Sequence, residues 1–270
     1  MSEKVKYSYI FVILVYRNMQ DLKECIESIA EKVNDYRIVV VNAFYDLASE
    51  TEAREIADQF GCDFLSVENR GYSFGNNTGI EYACNKYDFD YIVVSNPDIT
   101  IEQFDDAVLS NKWGIVAPKI VAANGKMQNP MAFVENKMSE KLVYKGLKQD
   151  KKFLLMFGVM LNKVTRTFGV ILMRCRRKKE QKIYVAHGSC VMLSKETVST
   201  LGPRLYDENM FLFGEEGVLA QKAKKAGIET YYVTDIFVHH KEDGSMKLGD
   251  FSINEELKKA NIYYYEHYRI

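Results

Sequence analysis

The first hundred residues alternate between two patterns of apolar positions. Residues 9–15 form a continuous β-branched and aromatic run, which predicts a central strand covered on both faces. Residues 21–33 instead carry apolar side chains at helical spacing, which predicts an amphipathic helix. The alternation then continues and predicts the remaining elements of this region, namely strands at 36–41, 63–67 and 91–94 and helices at 48–60 and 76–85.

Strands that alternate with helices at this spacing are joined by right-handed crossovers, so we expect an α/β fold with a mostly parallel central sheet flanked by helices. Ligands bind such sheets at the carboxyl ends of the strands, in the loops that here follow Val15, Val41, Val67 and Val94. The apolar run from Tyr9 has about nine residues, too few to span a bilayer, which favours a buried strand.

The second half of the chain continues with the same kinds of element. The pattern predicts a helix at 218–226 that ends at Gly227, followed by a strand at 230–238. The tyrosine-rich tail after Ser245 is predicted to be a helix that packs on the body, contacts a second copy in a homo-oligomer or meets lipid headgroups.

The composition narrows the class of protein. The chain has 270 residues, of which 47% are hydrophobic and 13% aromatic, and this excludes a disordered protein. Its length suggests one large domain or one domain with an appendage. The five cysteines are scattered and include no C-x-x-C pair, which indicates a reducing cytosol and argues against a disulfide framework or a zinc ribbon.

The net charge of −1 hides a strong asymmetry. Residues 137–182 hold 14 Lys+Arg and 3 Asp+Glu, a local charge of +11, whereas the rest of the chain carries −12. Within this basic insert, two apolar stretches are interrupted by charged residues, and each stretch is too short to span a membrane. Apolar faces bordered by cations fit helices that lie on an anionic membrane surface. A basic hairpin packed on the body or a dimer contact are the alternatives, and no nucleic-acid-binding module accompanies the charge.

Two loops of the first half carry candidate chemistry. The segment Asn96-Pro97-Asp98 follows the strand at 91–94, and a carboxylate there suits Mg²⁺ or Mn²⁺ together with phosphate oxygens. Residues 68–79 form a Gly- and Asn-rich loop that leads into a helix, where the backbone can approach a ligand closely. A turn aspartate and a helix cap are the simpler interpretations of the two segments.

Two segments of the second half also carry candidate catalytic or metal-binding residues. Glu215 and Glu216 are adjacent acids just ahead of the helix at 218–226, and such a pair can raise one pKa as a general base requires. An acidic first turn is the structural alternative. His239 and His240 follow the last strand and are either metal ligands or structural histidines.

The order of these segments resembles the family 2 glycosyltransferases of GT-A fold, and within them the bacterial rhamnosyltransferase-like branch. The resemblance covers about residues 8–135 and 184–245. It rests on short matches in the family's order, which are Tyr16-Arg17-Asn18, Cys25-Ile26-Glu27-Ser28-Ile29, Val40-Val41-Asn42-Ala43 with Asp46, Asn69-Arg70-Gly71 to Asn77-Thr78-Gly79, Asn96-Pro97-Asp98, His187-Gly188-Ser189-Cys190, Tyr206-Asp207-Glu208 to Glu215-Glu216, and His240 to Ser245.

The resemblance implies transfer of a sugar from a nucleoside diphosphate to a hydroxyl, with inversion. Asp98 corresponds to the metal-binding carboxylate, and His240 to a further metal or diphosphate ligand, with Mg²⁺ or Mn²⁺ as cofactor. Glu216 takes the position of the base, and Glu215 that of a residue that binds the acceptor. The donor-binding positions implied are Tyr16, Asn18, Asn42, Asp46, Asn69, Gly71, Asn77, Asn96 and His187.

The chain departs from the family pattern at three of these positions. Its acidic pair is Glu-Glu where Glu-Asp is usual, which shifts the base by about one methylene and leaves open whether Glu215 or Glu216 is the base. Asn42 stands where an aspartate usually meets the nucleobase, and Asn96 replaces the first acid of the metal motif. We expect weak metal binding without donor.

The resemblance also divides the chain. We expect a nucleotide-sugar half at 1–136, the basic insert at 137–183, a catalytic half at 184–245 and a helical tail at 246–270. The best-matching reaction is transfer of rhamnose from dTDP-rhamnose, or from a UDP donor, to a lipid-linked glycan by a cytoplasmic enzyme on the inner face of the membrane. Galactofuranose or glucose transfer, a sugar nucleotidyltransferase and a non-catalytic sugar-nucleotide-binding subunit are the alternatives.

Overall fold

The computed structural model describes residues 4–110, 112–242 and 252–270, and within these ranges one central sheet contains nine strands. The strands are β1 (Val5–Val15), β2 (Tyr36–Phe44), β3 (Asp63–Glu68), β4 (Tyr87–Ser95), β5 (Ile99–Phe104), β6 (Ile115–Ala122), β7 (Glu180–Ile183), β8 (Cys190–Ser194) and β9 (Thr230–His240). The helices are α1 (Met19–Lys32), α2 (Leu47–Gln59), α3 (Tyr72–Lys86), α4 (Lys137–Lys148), α5 (Lys152–Cys175), α6 (Lys195–Leu201), α7 (Glu215–Lys225) and α8 (Ile253–Tyr268).

The sheet is parallel in its first half and mixed in its second. Its order is β3-β2-β1-β4-β8-β6-β9-β5, with β7 paired to β9. The four strands from β3 to β4 are parallel, as predicted, because a helix connects each to the next in the chain. Beyond β4 the sheet is mixed, since β8 is antiparallel to both of its neighbours whereas β6 and β9 are parallel to each other.

The apolar run of β1 packs into two hydrophobic cores, one on each face of the sheet. Phe11 and Ile13 pack in the layer that contains α1 and α2, whereas Ile10 and Val12 pack on the opposite face with Ile80 of α3. All four β1 side chains are completely buried. A strand covered on both faces needs apolar residues at every position, which is why its sequence shows no alternation.

The predicted elements are present, with bounds that shift by a few residues. The largest shift at a helix start is at α3, which begins at Tyr72 rather than at 76. Asn76 and Asn77 stand at the predicted start of this helix, and both are fully buried inside it. Their side chains bond to backbone oxygens, which offsets their low helix propensity.

The basic insert is a helical hairpin of α4 and α5. Glycines let the two helices meet closely: a Cβ at Gly146 would lie 2.4 Å from the Leu155 nitrogen, and one at Gly158 would lie 2.8 Å from the Ser139 oxygen. Arg166 lies in the helix and donates a hydrogen bond to the Met127 carbonyl. The charged residues therefore do not interrupt the helix.

The prediction that the apolar stretches of the insert are too short to span a membrane is wrong in its premise. The two stretches form one continuous helix of 24 residues. Among the described residues, α5 has the length and composition that a membrane-crossing helix needs, and only 11% of its most apolar window is buried.

Candidate active site

A cavity of about 850 Å³ lies at the carboxyl ends of β1, β2 and β4. The parallel strands contribute Tyr16, Ala43 and the segment 96–98, as predicted from the topology. The opposite wall comes from the segment 187–189 and from the first turn of α7. Three further helices, α4, α5 and α8, close the remaining side.

Asp98 and His240 form a pair at the base of this cavity. Both are buried, and the Nε2 atom of His240 lies 3.2 Å from the Asp98 Oδ1 atom. The turn 96–98 between β4 and β5 positions Asp98, and the Lys241 amide donates a hydrogen bond to its carbonyl oxygen at 3.0 Å. Strand β9 ends at His240 and pairs with β5, which brings the two side chains together.

A hydrogen-bonded chain orients the His240 ring. The Nε2 atom of Gln128 donates to Glu242, and this fixes the other amide atom, Oε1, as an acceptor toward His240 Nδ1 at 2.8 Å. The Nδ1 atom therefore carries a proton, and Nε2 faces Asp98. Such a second partner on the far ring nitrogen is typical of histidines that ligate metals.

The pair fits a divalent cation held partly by substrate. Two ligand atoms about 2.1 Å from one ion lie about 3 Å apart when they bind side by side, which matches the 3.2 Å separation. Carboxylate oxygen and imidazole nitrogen suit Mn²⁺ and, with phosphate oxygens, Mg²⁺. No cluster of three or more His, Cys, Asp or Glu side chains suited to a metal occurs in the part of the chain that the structure describes.

His187 lies beside this pair as a neutral ring. Its centroid is 5.8 Å from that of His240, and burial together with the His240 charge lowers the pKa of His187 to about 4. The Ser189 amide donates to its Nδ1 atom at 3.2 Å, while its own backbone amide donates to Asn129 at 2.7 Å. His187 is therefore held rigidly and uncharged at neutral pH.

Glu215 and Glu216 lie at the start of α7, after Gly214 with its φ of +87°. Glu216 is partly exposed to the cavity, and its Oε1 atom accepts a hydrogen bond from the Gly188 amide at 3.3 Å. Glu215 is 4% exposed, and its Oε1 atom has no hydrogen-bond partner among the described residues. Burial, reinforced by the neighbouring Glu216 charge, raises the pKa of Glu215 to about 8. Burial also raises the pKa of Glu216.

Gly71 joins the two loops that face each other across the site. Its φ is +99°, and a Cβ there would lie 2.3 Å from the Phe211 carbonyl oxygen. The Tyr72 amide donates to the same oxygen at 2.8 Å. Any larger residue at 71 would therefore push the loop before α7 away from the loop after β3.

Nine of the predicted site residues line the one cavity. They come from both halves of the chain and from segments as far apart as the end of β1 and the end of β9. They are Tyr16, Asn69, Gly71, Asn96, Asp98, His187, Glu215, Glu216 and His240. The side chains predicted for donor, metal and base therefore meet at one place.

Two predicted donor-binding residues are helix caps outside the cavity lining. The Asn18 side chain accepts a hydrogen bond from the Asp21 amide at the start of α1. Asp46 forms a capping box with Ser49 at the start of α2, and the Ser49 amide lowers the pKa of Asp46. Both positions follow a parallel strand, where a helix must begin, so the need for a cap explains the residue types.

Two others are buried behind the cavity. Asn42 is 1% exposed and donates to Ser66 at 3.4 Å between β2 and β3. Asn77 is fully buried, and its amide bonds to the backbone of Tyr206 and to Glu208. Its hydrogen-bonding capacity is used within the fold, which corrects its assignment to the pocket.

Several lining residues carry no signal of their own in the sequence. Gln128, which orients His240, is one polar residue in an irregular segment. Tyr264 and Tyr265 of α8 also line the cavity. The only sequence signal for them is the cluster of tyrosines in the tail, which does not distinguish a cavity wall from a surface contact. The aliphatic residues of α4 and α5 that line the cavity belong to the basic insert, whose charge dominates its composition.

Comparisons with known proteins identify chains of similar sequence and fold. No protein-family model matches the chain. A curated protein, the low-salt glycan biosynthesis hexosyltransferase Agl10 of Haloferax volcanii, is 24% identical over 224 residues, which cover 80% of the chain. The chain spans 62% of that protein's length.

Solved structures resemble the fold over almost the whole chain. GalNAc-T7, crystallised with UDP, GalNAc and Mn²⁺, matches 96% of the chain at a TM-score of 0.64 and 14% identity, over 48% of its own length. TarS of S. aureus matches 97% of the chain at a TM-score of 0.55 and 10% identity, over 44% of its own length. The mannosyltransferase PcManGT of Pyrobaculum calidifontis, solved in complex with GDP-Man and Mn²⁺, matches 98% of the chain at a TM-score of 0.53 and 13% identity, over 71% of its own length. The predicted GT-A fold is confirmed.

Proposed function

We propose that the protein is a glycosyltransferase that moves a hexose from a nucleoside diphosphate to an acceptor hydroxyl. One observation carries the proposal: the Asp98–His240 pair and the Glu215–Glu216 pair line the same cavity at the carboxyl edge of a GT-A sheet. The similarity to a hexosyltransferase and to structures solved with nucleotides, a nucleotide sugar and Mn²⁺ supports it.

The donor diphosphate needs a cation in this cavity. Five carboxyl groups line it, namely Asp98, Glu140, Glu215, Glu216 and Glu242, and of these Glu215 is protonated at neutral pH and Glu140 is paired with Arg269. The remaining negative charges repel a diphosphate, and a divalent cation reverses the local field. Asp98 and His240 would hold Mg²⁺ or Mn²⁺, which supplies the positive charge that stabilises the departing diphosphate. Metal dependence is therefore part of the proposal.

The acid pair provides the proton acceptor. In a single displacement, the acceptor oxygen bonds to the anomeric carbon while the bond from that carbon to the diphosphate breaks, and the configuration inverts. The hydroxyl proton passes to Glu216, whose carboxylate faces the cavity and is held by the Gly188 amide. Glu215 keeps its own proton at neutral pH, so only one negative charge remains in the pair.

For the donor we propose rhamnose from dTDP-rhamnose. The proposal rests on the order of motifs in the sequence, and galactofuranose or glucose from a UDP donor is the alternative. The hexosyltransferase name of the curated relative fits each of the hexose donors equally.

We also propose that the acceptor is a lipid-linked glycan of the cell surface and that the enzyme lies on the inner face of the membrane. The support is an exposed apolar stripe on one face of α5. It consists of Phe153, Met156, Met160, Val164, Phe168 and Ile171, each at least half exposed. Their spacing places them on one side of the helix, and the basic residues 174–179 follow directly. An apolar face next to cations fits an interfacial helix.

A donor panel with matched variants tests the enzyme proposal. Purified protein would be assayed with dTDP-, UDP- and GDP-sugars and Mn²⁺ or Mg²⁺, for hydrolysis and for transfer to a lipid-linked acceptor extract. Glu216→Gln should lower transfer about 10³-fold and leave nucleotide binding within about twofold. Asp98→Ala should weaken metal-dependent nucleotide binding about 100-fold.

Glu52→Gln on the exposed face of α2 is the matched control and should change neither quantity. Full transfer by Glu216→Gln would contradict the assignment of the base. Binding of sugar nucleotides without any turnover would instead indicate a non-catalytic sugar-nucleotide-binding subunit.

A further inference from the structure

The cavity of about 850 Å³ has an apolar part beside the polar part that holds the Asp98–His240 and Glu215–Glu216 pairs. Beyond Glu216 it extends between α4, α5 and α8 into a region that we call the apolar arm. The arm is lined by Val134, Val143, Leu147, Leu155, Val159 and Leu257. Val134, Val159 and Leu257 leave 49%, 53% and 41% of their surface uncovered, so the arm presents apolar surface to whatever enters it.

A continuous wall connects the proposed base to the arm. Tyr264 of α8 packs against the first turn of α7, where a Cβ at Gly217 would lie 2.9 Å from its ring. The next residue, Tyr265, stacks on Tyr144 of α4 with the centroids 4.3 Å apart. Tyr144 is adjacent to Val143, which lines the arm. A ligand that touches Glu216 can therefore extend along this wall without leaving the cavity.

Helix α5 carries apolar residues on two sides. Leu155 and Val159 face the arm, whereas the exposed stripe that contains Phe153 and Val164 lies on an adjacent face. Glycines lie on a third face, where Gly158 meets Ser139 of α4 and Gly169 meets Phe133. The arm thus adjoins the surface that would meet lipid, and lysines surround the hairpin, at 137, 141, 145, 148, 151 and 152.

The two ends of the cavity match the two ends of one kind of molecule. Carboxylates and a metal-binding pair lie at one end, where hydroxyl groups and phosphate are handled, and aliphatic side chains line the other. Each methylene group that leaves water for apolar surroundings favours binding about fourfold. An amphiphile with a hydroxyl-bearing head and a hydrocarbon chain satisfies both ends at once.

We propose that the apolar arm binds the hydrocarbon chain of the acceptor, with the acceptor's hydroxyl at Glu216 and its chain directed toward the membrane-facing side of α5. The inference rests on the proposed function, which it deepens by assigning the acceptor's chain to a site. The chain is a long isoprenoid or acyl group, and the experiment below distinguishes a lipid phosphate from a glycolipid.

Binding of alkyl probes tests the proposal without turnover. Dissociation constants of butyl, octyl and dodecyl phosphate, and of octyl and dodecyl maltoside, would be measured by titration calorimetry below their micellar concentrations. Affinity should rise at least tenfold from butyl to dodecyl phosphate. Tighter binding of the phosphate series identifies a lipid phosphate as the source of the chain, and tighter binding of the maltosides identifies a glycolipid.

Matched variants locate the binding. Val159→Trp fills the arm and should weaken binding of the dodecyl probes at least tenfold, whereas Val164→Trp makes the same change on the exposed stripe and should stay within twofold. Leu257→Trp blocks the arm from α8 and replaces Val159→Trp if that variant does not fold. Mn²⁺-dependent nucleotide binding should remain unchanged in all three.

The outcomes separate the two proposals. Donor turnover together with affinities that ignore chain length, or equal effects of Val159→Trp and Val164→Trp, would overturn the assignment of the arm and leave the glycosyltransferase in place. Chain-length-dependent binding that Val159→Trp removes, in a protein that turns over no donor, would support the arm and refute the proposed enzyme.

Discussion

Two adjacent carboxyl groups share one small volume at the start of α7, and opposing effects act on their protonation. The helix N-terminus favours the charged form by about 0.3–1 kcal/mol. Burial acts in the other direction and raises the pKa of Glu215 to about 8, which corresponds to about 4–5 kcal/mol against ionisation. Burial therefore decides the state of Glu215, and the pair holds one proton at neutral pH.

This shift predicts a pH dependence of stability. The folded pKa of Glu215 is higher than its unfolded value, so the folded state binds more protons between about pH 4.5 and pH 8 and loses stability as the pH rises through that window. Glu215→Gln cannot ionise and should escape this loss. In urea unfolding, the variant should match the wild type at pH 5 and exceed it by up to about 4 kcal/mol at pH 9.

Exposed Glu52→Gln on α2 serves as the control and should follow the wild type at both pH values. A Glu215→Gln variant that loses stability with pH as steeply as the wild type would show that Glu215 is ionised in the folded protein.

At the scale of elements, the sequence predicted the strands and helices whose apolar pattern follows from burial. It did not predict the roles of side chains that depend on tertiary contacts. The run at 9–15 predicted a strand because it is too short for a buried helix and is rich in β-branched and aromatic residues. Asn77 looked like a ligand-binding residue, and only the approach of the segment 206–208 showed that its amide bonds within the fold. Lys163 and Arg166 looked like interruptions, yet they lie three positions apart within one continuous helix, on the same side of it.

The site shows the same division. Asp98, Glu216 and His240 could be predicted because each belongs to a short sequence motif at the end of a strand or the start of a helix. Gln128 was not, because it acts through the orientation of another ring, and no local pattern marks that role. The apolar arm was hidden because its walls combine the consecutive helices α4 and α5 with α8, which is far from them in sequence.

Helix α5 supports a prediction of its own. Replacement of Phe153, Met160 and Phe168 by Gln removes the apolar stripe, and charge reversal at Arg176, Arg177, Lys178 and Lys179 removes the adjoining cations. Both variants should lose sedimentation with anionic vesicles at low salt. Each basic residue near the surface contributes about 1 kcal/mol, and each buried apolar side chain about 1.5–3 kcal/mol.

Salt separates the two contributions. At high ionic strength the charge effect is screened, so residual wild-type binding should depend on the stripe alone. Substitution of the partly exposed Lys23 by Glu on α1, far from the hairpin in sequence, is a charge control. Sedimentation that neither the stripe variant nor the charge reversal alters would exclude α5 as the membrane-binding surface.

At the scale of the whole molecule, the two predicted halves form one sheet. Strands β5 and β6 belong to the first half of the chain, yet they lie beside β9 and β8 of the second. The backbone amide of Asn96 donates to the Ser189 oxygen at 2.9 Å, and the Asn77 side chain makes three hydrogen bonds to the segment 206–208. The Asp98–His240 pair and Glu216 can therefore keep their relative positions only while both halves are folded together.

This continuity predicts a single unfolding transition that responds as a whole to one buried amide. Asn77→Ala removes three hydrogen bonds, two of them buried, and takes this partner from the backbone amide and carbonyl of Tyr206, which should lower the free energy of unfolding by about 2–4 kcal/mol. In urea titrations followed by circular dichroism and by tyrosine absorbance, the midpoint should fall at constant slope. Asn85→Ala, on the exposed end of the same helix, should leave the midpoint within experimental error. Separation of the Asn77→Ala curve into two transitions would show that the halves fold independently and that the amide merely docks one on the other.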